Sequence, residues 1–274
     1  MENFSKNTHF AVLVLSCDAY HDAVATFFQL LRINWPDCAG KIYLVNNTRE
    51  FHREGVTVIN AGNEFNWVGR LNYALNRIDE EVVLVLFEDY FIAAPVDDQK
   101  IQEALDNFKR EGLKYYRITN VPKFAGKQYK DYNHLVKIPK YLAYGVNLQA
   151  ALWDRLYLRK LSEVADGTAW DFEVRLHSGL CPADGDFVEA SVIDSRDVIE
   201  IRNGIIKGKW VPGTIKALKK IGVDIELGTR KTLSFWECAA ISVKVVAATL
   251  VPSPLRRPTK AILSSLGFKF LSPR

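Results

Sequence analysis

The stretch from Glu81 to Phe91, E-V-V-L-V-L-F-E-D-Y-F, restricts the fold of this chain more than any other. Six apolar residues run from Val82 to Phe87 without alternation, and four of them are β-branched or aromatic. A strand with one wet face alternates apolar and polar side chains, so this run predicts a strand covered on both faces inside a parallel sheet. It stops abruptly at Glu88 and Asp89. In open α/β sheets the carboxyl ends of central strands face the ligand crevice, where acids hold a metal or orient hydroxyls. The plainer reading of the same pair is that it solvates a strand end.

Phe10 to Ser16 repeats the buried-strand pattern and breaks at Cys17-Asp18-Ala19-Tyr20. A helical pattern follows, carried by Val24, Phe27, Phe28, Leu31 and Ile33, up to the stop at Trp35-Pro36. Lys41–Val45 and Val56–Ile59 read as further strands, and Trp67, Leu71, Leu75 and Ile78 form the stripe of a helix that leads into the opening run. Strands and helices repeated at this spacing predict an α/β fold with a mostly parallel, Rossmann-like sheet flanked by helices. Residues 97–110 read as an amphipathic helix and Tyr115–Thr119 as a strand. The aromatic, lysine-rich segment Val121–Tyr144 reads as a long loop or hairpin. Asn147–Leu161 reads as a helix on its Leu148, Leu152, Leu156 stripe, and another helix begins at Trp170. Gly185–Arg202 reads as paired short strands around Ser195, and Ile215–Ile221 as the start of a basic helix.

At 274 residues the chain fits one large α/β domain, or a domain of about 200 residues with an appendage. Charge divides it. From Ile205 onward there are 13 Lys and Arg against 3 acids, which leaves residues 1–204 with a net −6 within an overall +4. This predicts an acidic body, 1–204, and a basic helical C-terminal extension, 205–274, suited to an anionic partner. The four cysteines are scattered without a C-x-x-C pair, and the first residues show no basic region leading into an apolar core. The expectation is therefore a reducing, cytoplasmic setting. Leu233–Val251 approaches the length of a membrane span, but Glu237 and Lys244 within it argue against crossing. Two readings stay open for it, a helix packed on the domain or an element peripheral to the membrane interface.

Between Asn46 and Asp89 the pattern becomes specific. S-C-D-A-Y, V-N-N-T, W-V-G-R-L-N-Y-A-L and V-L-F-E-D-Y follow one another in an order that resembles the nucleotide-sugar domain of GT-A glycosyltransferases, above all the inverting family 2 enzymes. The resemblance covers residues 10 to 205. It implies transfer of a sugar from a nucleotide-diphosphate donor to a glycan or lipid-linked acceptor in cell-surface polysaccharide synthesis, such as lipopolysaccharide or capsule, with no nucleic acid as partner. Under it, Asp18, Asn46 and Asn47 offer polar partners to the base, and Arg70 meets phosphate. Glu88 and Asp89 occupy a degenerate Asp-X-Asp whose last position is Tyr90, so Mg2+ or Mn2+ would be anchored by Asp89, with His177 as a further ligand. If cations replace the metal, Lys207 and Lys209 are candidates. The general base falls on Glu173 or Asp171, against the plainer reading that Asp171 or Thr168 caps a helix. Three other readings remain: a nucleic-acid binder whose Val121–Tyr144 aromatics and lysines stack bases, a nucleotide- or glycan-binding protein without catalysis, and a sugar-phosphate nucleotidyltransferase. The last normally has a glycine-rich loop after its first strand, and S-C-D-A-Y-H has no glycine.

Overall fold

A computed structural model describes residues 10–121, 123–124, 126–139, 145–178, 190–223 and 225–250, without the side chains of 177–178 and 244–250. The strands β1 (Phe10–Leu15), β2 (Lys41–Asn46), β3 (Val56–Asn60) and β4 (Val82–Phe87) form the parallel half of the sheet. Between them lie α1 (His21–Asn34) and α2 (Trp67–Leu75), each long enough to cross back over the sheet. After β4 come the short β5 (Tyr90–Ile92), α3 (Asp98–Arg110), β6 (Tyr115–Arg117), and the hairpin of β7 (Gln128–Tyr129) with β8 (Tyr132–Lys137). The chain continues through β9 (Ala151–Asp154), α4 (Arg155–Glu163), α5 (Ala169–Ser178) and β10 (Ser191–Asp194).

The main sheet runs in the order β3-β2-β1-β4-β9-β6-β10-β8-β7. Only β9 and β8 oppose the common direction, so the sheet is mostly parallel, as the sequence predicts. Two apolar layers cover it. The side chains of α1 and α3 pack on one face, and those of α2, α4 and α5 on the other. In β1 and β4, successive residues therefore enter different layers: Val12, Val14, Leu84 and Leu86 one, Leu13, Leu15, Val83 and Val85 the other. This is why neither strand alternates.

Two expectations fail locally. The predicted helix over 147–161 begins only at Arg155, capped by Asp154, whose Oδ1 accepts from the Tyr157 amide at 2.8 Å. Residues 151–154 instead form β9, wedged antiparallel between β4 and β6. Leu152 and Trp153 point into opposite layers, and Leu156, the third member of the apparent helix stripe, is 56% exposed. A strand buried on both faces and a helix start had fused into one false period. Likewise β10 does not pair with the strand that follows it, β11 (Ile201–Asn203). β10 lies between β6 and β8, while β11 pairs with β5.

The expected boundary at residue 204 does not separate two cores. Beyond β11 the chain forms the hairpin β12 (Ile205–Ile206) and β13 (Lys209–Trp210), then α6 (Pro212–Lys220) and α7 (Phe235–Leu250). Ile205, Trp210, Leu218, Val223 and Ile225 join the same apolar cluster as α1 and β1. The join is tight at Gly204, whose amide donates to the Asp89 carbonyl at 2.7 Å. A Cβ there would overlap the ring of fully buried Phe91. Among the described residues no helix is long and apolar enough to cross a membrane. Gly204→Ala is accordingly expected to destabilise the protein by about 1–3 kcal/mol in urea unfolding, and an unchanged midpoint would show that Phe91 can yield.

Candidate active site at the sheet switch point

The sheet changes direction of growth between β1 and β4: the chain first adds β2 and β3 on one side of β1, then returns to place β4 on the other. Loops leaving the two adjacent strands therefore diverge, and the crevice between them is where open α/β sheets bind their ligands. Here its walls are the loops after β1 (Ser16–Tyr20), β2 (Asn47–Arg49) and β4 (Glu88–Asp89).

The first two loops are fastened together. The Asp18 carboxylate accepts from the Thr48 hydroxyl at 2.7 Å and from the Thr48 and Arg49 amides at 3.1 Å each. Partial burial works to raise its pKa, but these hydrogen bonds outweigh it and leave Asp18 below the ordinary carboxylate range. Asn47 accepts from the Asp18 amide and donates to the Gly62 carbonyl, both at 3.2 Å. Asn46 is fully buried and donates to the Arg49 carbonyl, so it supports the loop from beneath rather than lining the crevice.

The loop after β4 carries the unusual electrostatics. Glu88 is 5% exposed, and its Oε2 is buried without a hydrogen-bond partner. Burial and the neighbouring Asp89 carboxylate push Glu88 well above its usual range, and Arg230 and Arg70 only partly offset this. Asp89 is itself raised to about 6, chiefly by burial. Desolvation is the main cause in both, since water would otherwise solvate the charged forms. Tyr90 lies against Phe87 (ring centroids 5.2 Å), Phe87 stacks on Trp67 (6.0 Å), and Trp67 meets Phe172 of α5 (5.7 Å). This aromatic row joins the acid pair to α5.

On α5 the two candidate bases have different situations. Asp171 accepts from the Thr168 amide and hydroxyl at 2.8 and 2.7 Å, while its own amide donates to the Thr168 hydroxyl at 3.2 Å. This is a reciprocal N-terminal cap, and it holds Asp171 below its usual range. Glu173, two residues on, accepts from the Leu148 amide at 2.6 Å, and burial raises its pKa despite that bond. Asp89 and Glu173 both bear on the Tyr90 phenol, which burial and these charges push up. The structure thus brings Glu173 to the Tyr90 side of the crevice and keeps Asp171 at the helix end.

Of the remaining candidates, Arg70 donates to the Phe65 carbonyl at 3.2 Å and its charge reaches Glu88 and Cys17. Lys209 forms an ion pair with Glu237 at 2.6 Å. Lys207 is exposed at the tip of the β12–β13 hairpin, where it and Gly208 both take positive φ (52° and 72°), the backbone a two-residue hairpin turn requires. The His177 side chain lies outside the described residues. Arg230 was not singled out in the sequence, where it counts only as one more cation of the basic extension. Its guanidinium grips Asp22 twice (2.7 and 2.9 Å), donates to the carbonyls of Ala19 and Gly208 (2.6 and 3.1 Å), and lies 4.4 Å over the Tyr20 ring. It therefore places a fixed positive charge beside Glu88 and Asp89.

Among the described residues no group of three or more His, Cys, Asp or Glu gathers as a metal site. The adjacent carboxylates of Glu88 and Asp89, one with an orphaned buried oxygen, nevertheless fit a hard cation of the Mg2+ or Mn2+ kind. Such ions take few protein carboxylates and complete their shell with water and phosphate oxygens.

Sheet order and crevice together define an α/β protein with a mostly parallel, Rossmann-like sheet and an acid pair at its switch point. No family model matches the chain, and no curated protein matches it. Solved structures do. S. aureus TarS 1–349 aligns over 70% of this chain and 59% of its own length at 12% identity and a TM-score of 0.46. Glucosyl-3-phosphoglycerate synthase from Mycobacterium tuberculosis, in complex with Mn2+, UDP-glucose and phosphoglyceric acid, aligns over 97% of this chain and 82% of its own, at 12% and 0.43. CMP:2-keto-3-deoxy-manno-octonic acid synthetase complexed with CTP aligns over 78% and 98%, at 10% and 0.45. Similarity at this level gives no residue correspondence, and the site rests on strand order and on the side chains at the strand ends.

The acid pair has a consequence for stability. A carboxyl whose folded pKa is raised contributes stability that is fully present below its unfolded value and lost as pH rises through the folded one. For Asp89 that window runs from 3.8 to about 6, and Glu88 extends it upward. Asp89→Asn is expected to stabilise the free protein above pH 7 by on the order of 1–2 kcal/mol and to flatten this part of the pH–stability curve. Chemical unfolding at pH 4.5 and 7.5 checks both.

Proposed function

We propose that this chain is a nucleotide-sugar glycosyltransferase that moves a sugar, with inversion at the anomeric carbon, from a nucleoside diphosphate to an acceptor hydroxyl. The observation that carries the reading is the meeting, around Tyr90, of two raised acidic sites: Glu88–Asp89 at the switch point and Glu173 on α5. The base of the donor lies along the Asp18–Asn47 loops, with Asn46 supporting them. The diphosphate lies over the carboxyl ends of β1 and β4, within reach of Arg70 and Arg230.

Asp89, with Glu88, would hold Mg2+ or Mn2+ there, and the ion's chemistry is to neutralise the diphosphate as it departs. Arg230 and Arg70 add positive charge at the same place. Glu173 takes the proton from the acceptor hydroxyl as that oxygen attacks the anomeric carbon on the face opposite the diphosphate. Its raised pKa suits the task, because a base titrating closer to the working pH binds the proton more strongly in transit. Burial of its carboxyl and the hydrogen bond it accepts from the Leu148 amide fix its direction.

The acceptor we infer is a glycan or lipid-linked glycan of the cell surface, such as a lipopolysaccharide or capsule precursor, met at an anionic cytoplasmic membrane face. The charge asymmetry of the chain supports this, since a net +10 in residues 205–274 is attracted to anionic lipid.

A thermal-shift screen of nucleoside diphosphates, each with and without Mn2+, tests the donor site. One nucleotide is expected to raise Tm, and more so with the ion; no response to any would overturn the reading. Stabilisation confined to a triphosphate, with pyrophosphate release on adding a sugar phosphate, would move the chain to the nucleotidyltransferases. With donor and acceptor in hand, Glu173→Gln should lower kcat about 10²–10⁴-fold while leaving the nucleotide-induced shift in Tm intact. Asp171→Asn should lower Tm slightly through its lost cap and keep turnover near wild type; the reverse pattern would transfer the base to Asp171.

A further inference from the structure

At the start of α7 two large aromatic side chains stand adjacent in solvent. Phe235 is 77% and Trp236 79% exposed, more than any other large apolar residue described. Their rings pack edge to face at 5.4 Å. They are held there rather than left at a fraying end. Ser234 and Glu237 form a reciprocal cap, with the Ser234 amide donating to Glu237 at 2.9 Å and the Glu237 amide to the Ser234 hydroxyl at 3.3 Å. Glu237 also pairs with Lys209, and its carboxyl is held down at about 2. The acid of this turn is therefore neutralised by a partner in the hairpin, and the aromatic pair projects from a fixed platform.

The surroundings are cationic. Exposed Lys207 occupies the tip of the hairpin that Lys209 ties to α7. Exposed Lys231 lies across from Trp210, which donates its amide to the Lys231 carbonyl at 2.9 Å. Adjacent aromatics bordered by lysines match the interfacial zone of a bilayer, where amphipathic rings sit at headgroup depth and cations meet anionic lipid.

We propose that Phe235 and Trp236 form a docking surface for an anionic membrane, inserting at the interface while the lysines around the β12–β13 hairpin contact its headgroups. Charge decides between this occupant and two others. A second copy would bring like-charged basic halves together, which costs free energy. The chain's own last residues, 251–274, carry five Lys and Arg and no acid, so they cannot neutralise the patch. An anionic lipid face complements it.

The position also has a purpose. The same hairpin whose Lys209 anchors α7 gives its Gly208 carbonyl to Arg230, which is clamped to Asp22 at the crevice. Docking through the aromatic pair therefore holds the crevice at a short, fixed remove from the lipid surface. The inference deepens the acceptor named above, and its test reads membrane binding instead of turnover, so either can fail alone.

The test is sedimentation of the full chain with vesicles of phosphatidylcholine alone and of phosphatidylcholine with about 30% phosphatidylglycerol, at low and high salt. Binding is expected only to the anionic vesicles, falling with salt. The double substitution Phe235→Ser, Trp236→Ser should weaken it about tenfold without changing the nucleotide-induced shift in Tm, which reports an intact fold and crevice. Absence of binding by the wild type, or equal binding by the double variant, would overturn the proposal. So would a concentration-dependent dimer that the same substitutions dissolve, which would assign the surface to a second copy.

Discussion

The six-residue parallel pairing of β1 with β4 is the constraint from which the rest of the molecule follows. Both strands are buried on both faces, so a one-residue slip would exchange the side chains presented to the α1–α3 layer with those presented to the α2–α4–α5 layer. Register is thereby fixed along the line where the sheet reverses its order of growth. Cys17–Tyr20 and Glu88–Tyr90 are delivered to opposite lips of one crevice as a consequence. The upward push on both carboxyls of the acid pair is a further consequence, because strand ends packed this closely leave little water for two carboxylates.

The remaining architecture serves that line. α1 and α2 cover it, β9 extends it with an antiparallel strand, and the aromatic row Tyr90–Phe87–Trp67–Phe172 connects it to the helix that carries Glu173. The 205–233 stretch completes the apolar layer over α1 while its Arg230 completes the charge balance of the crevice. One segment thus has both a packing and an electrostatic part, which is why it does not behave as an appendage.

Much of this was legible in the sequence where one physical signal dominated. Unbroken apolar runs identified β1 and β4, and their abrupt polar ends identified Glu88 and Asp89. The signal misled where two elements overlapped. Leu148, Leu152 and Leu156 share helical spacing by accident, and only the sheet shows that the middle one belongs to a strand. The charge shift after residue 204 was real as composition, but composition does not report that Trp210 and Leu218 are buried with α1. Arg230 was out of reach, since its partners Ala19 and Asp22 lie more than 200 positions away. Between Glu173 and Asp171 the difference is one of hydrogen bonds, not of residue type.

The Asp22–Arg230 clasp also has a temporal side. It joins the start of the first helix to a turn made 208 residues later. While the chain is being made, β1 to β4 can pair as soon as residue 87 is available, yet one flank of the crevice stays open until Arg230 arrives. The parallel strands are thus complete in the chain by residue 87, whereas the positive charge that offsets Glu88 and Asp89 from this side is supplied only at Arg230, so a chain ending before it would carry the acid pair without that counter-charge.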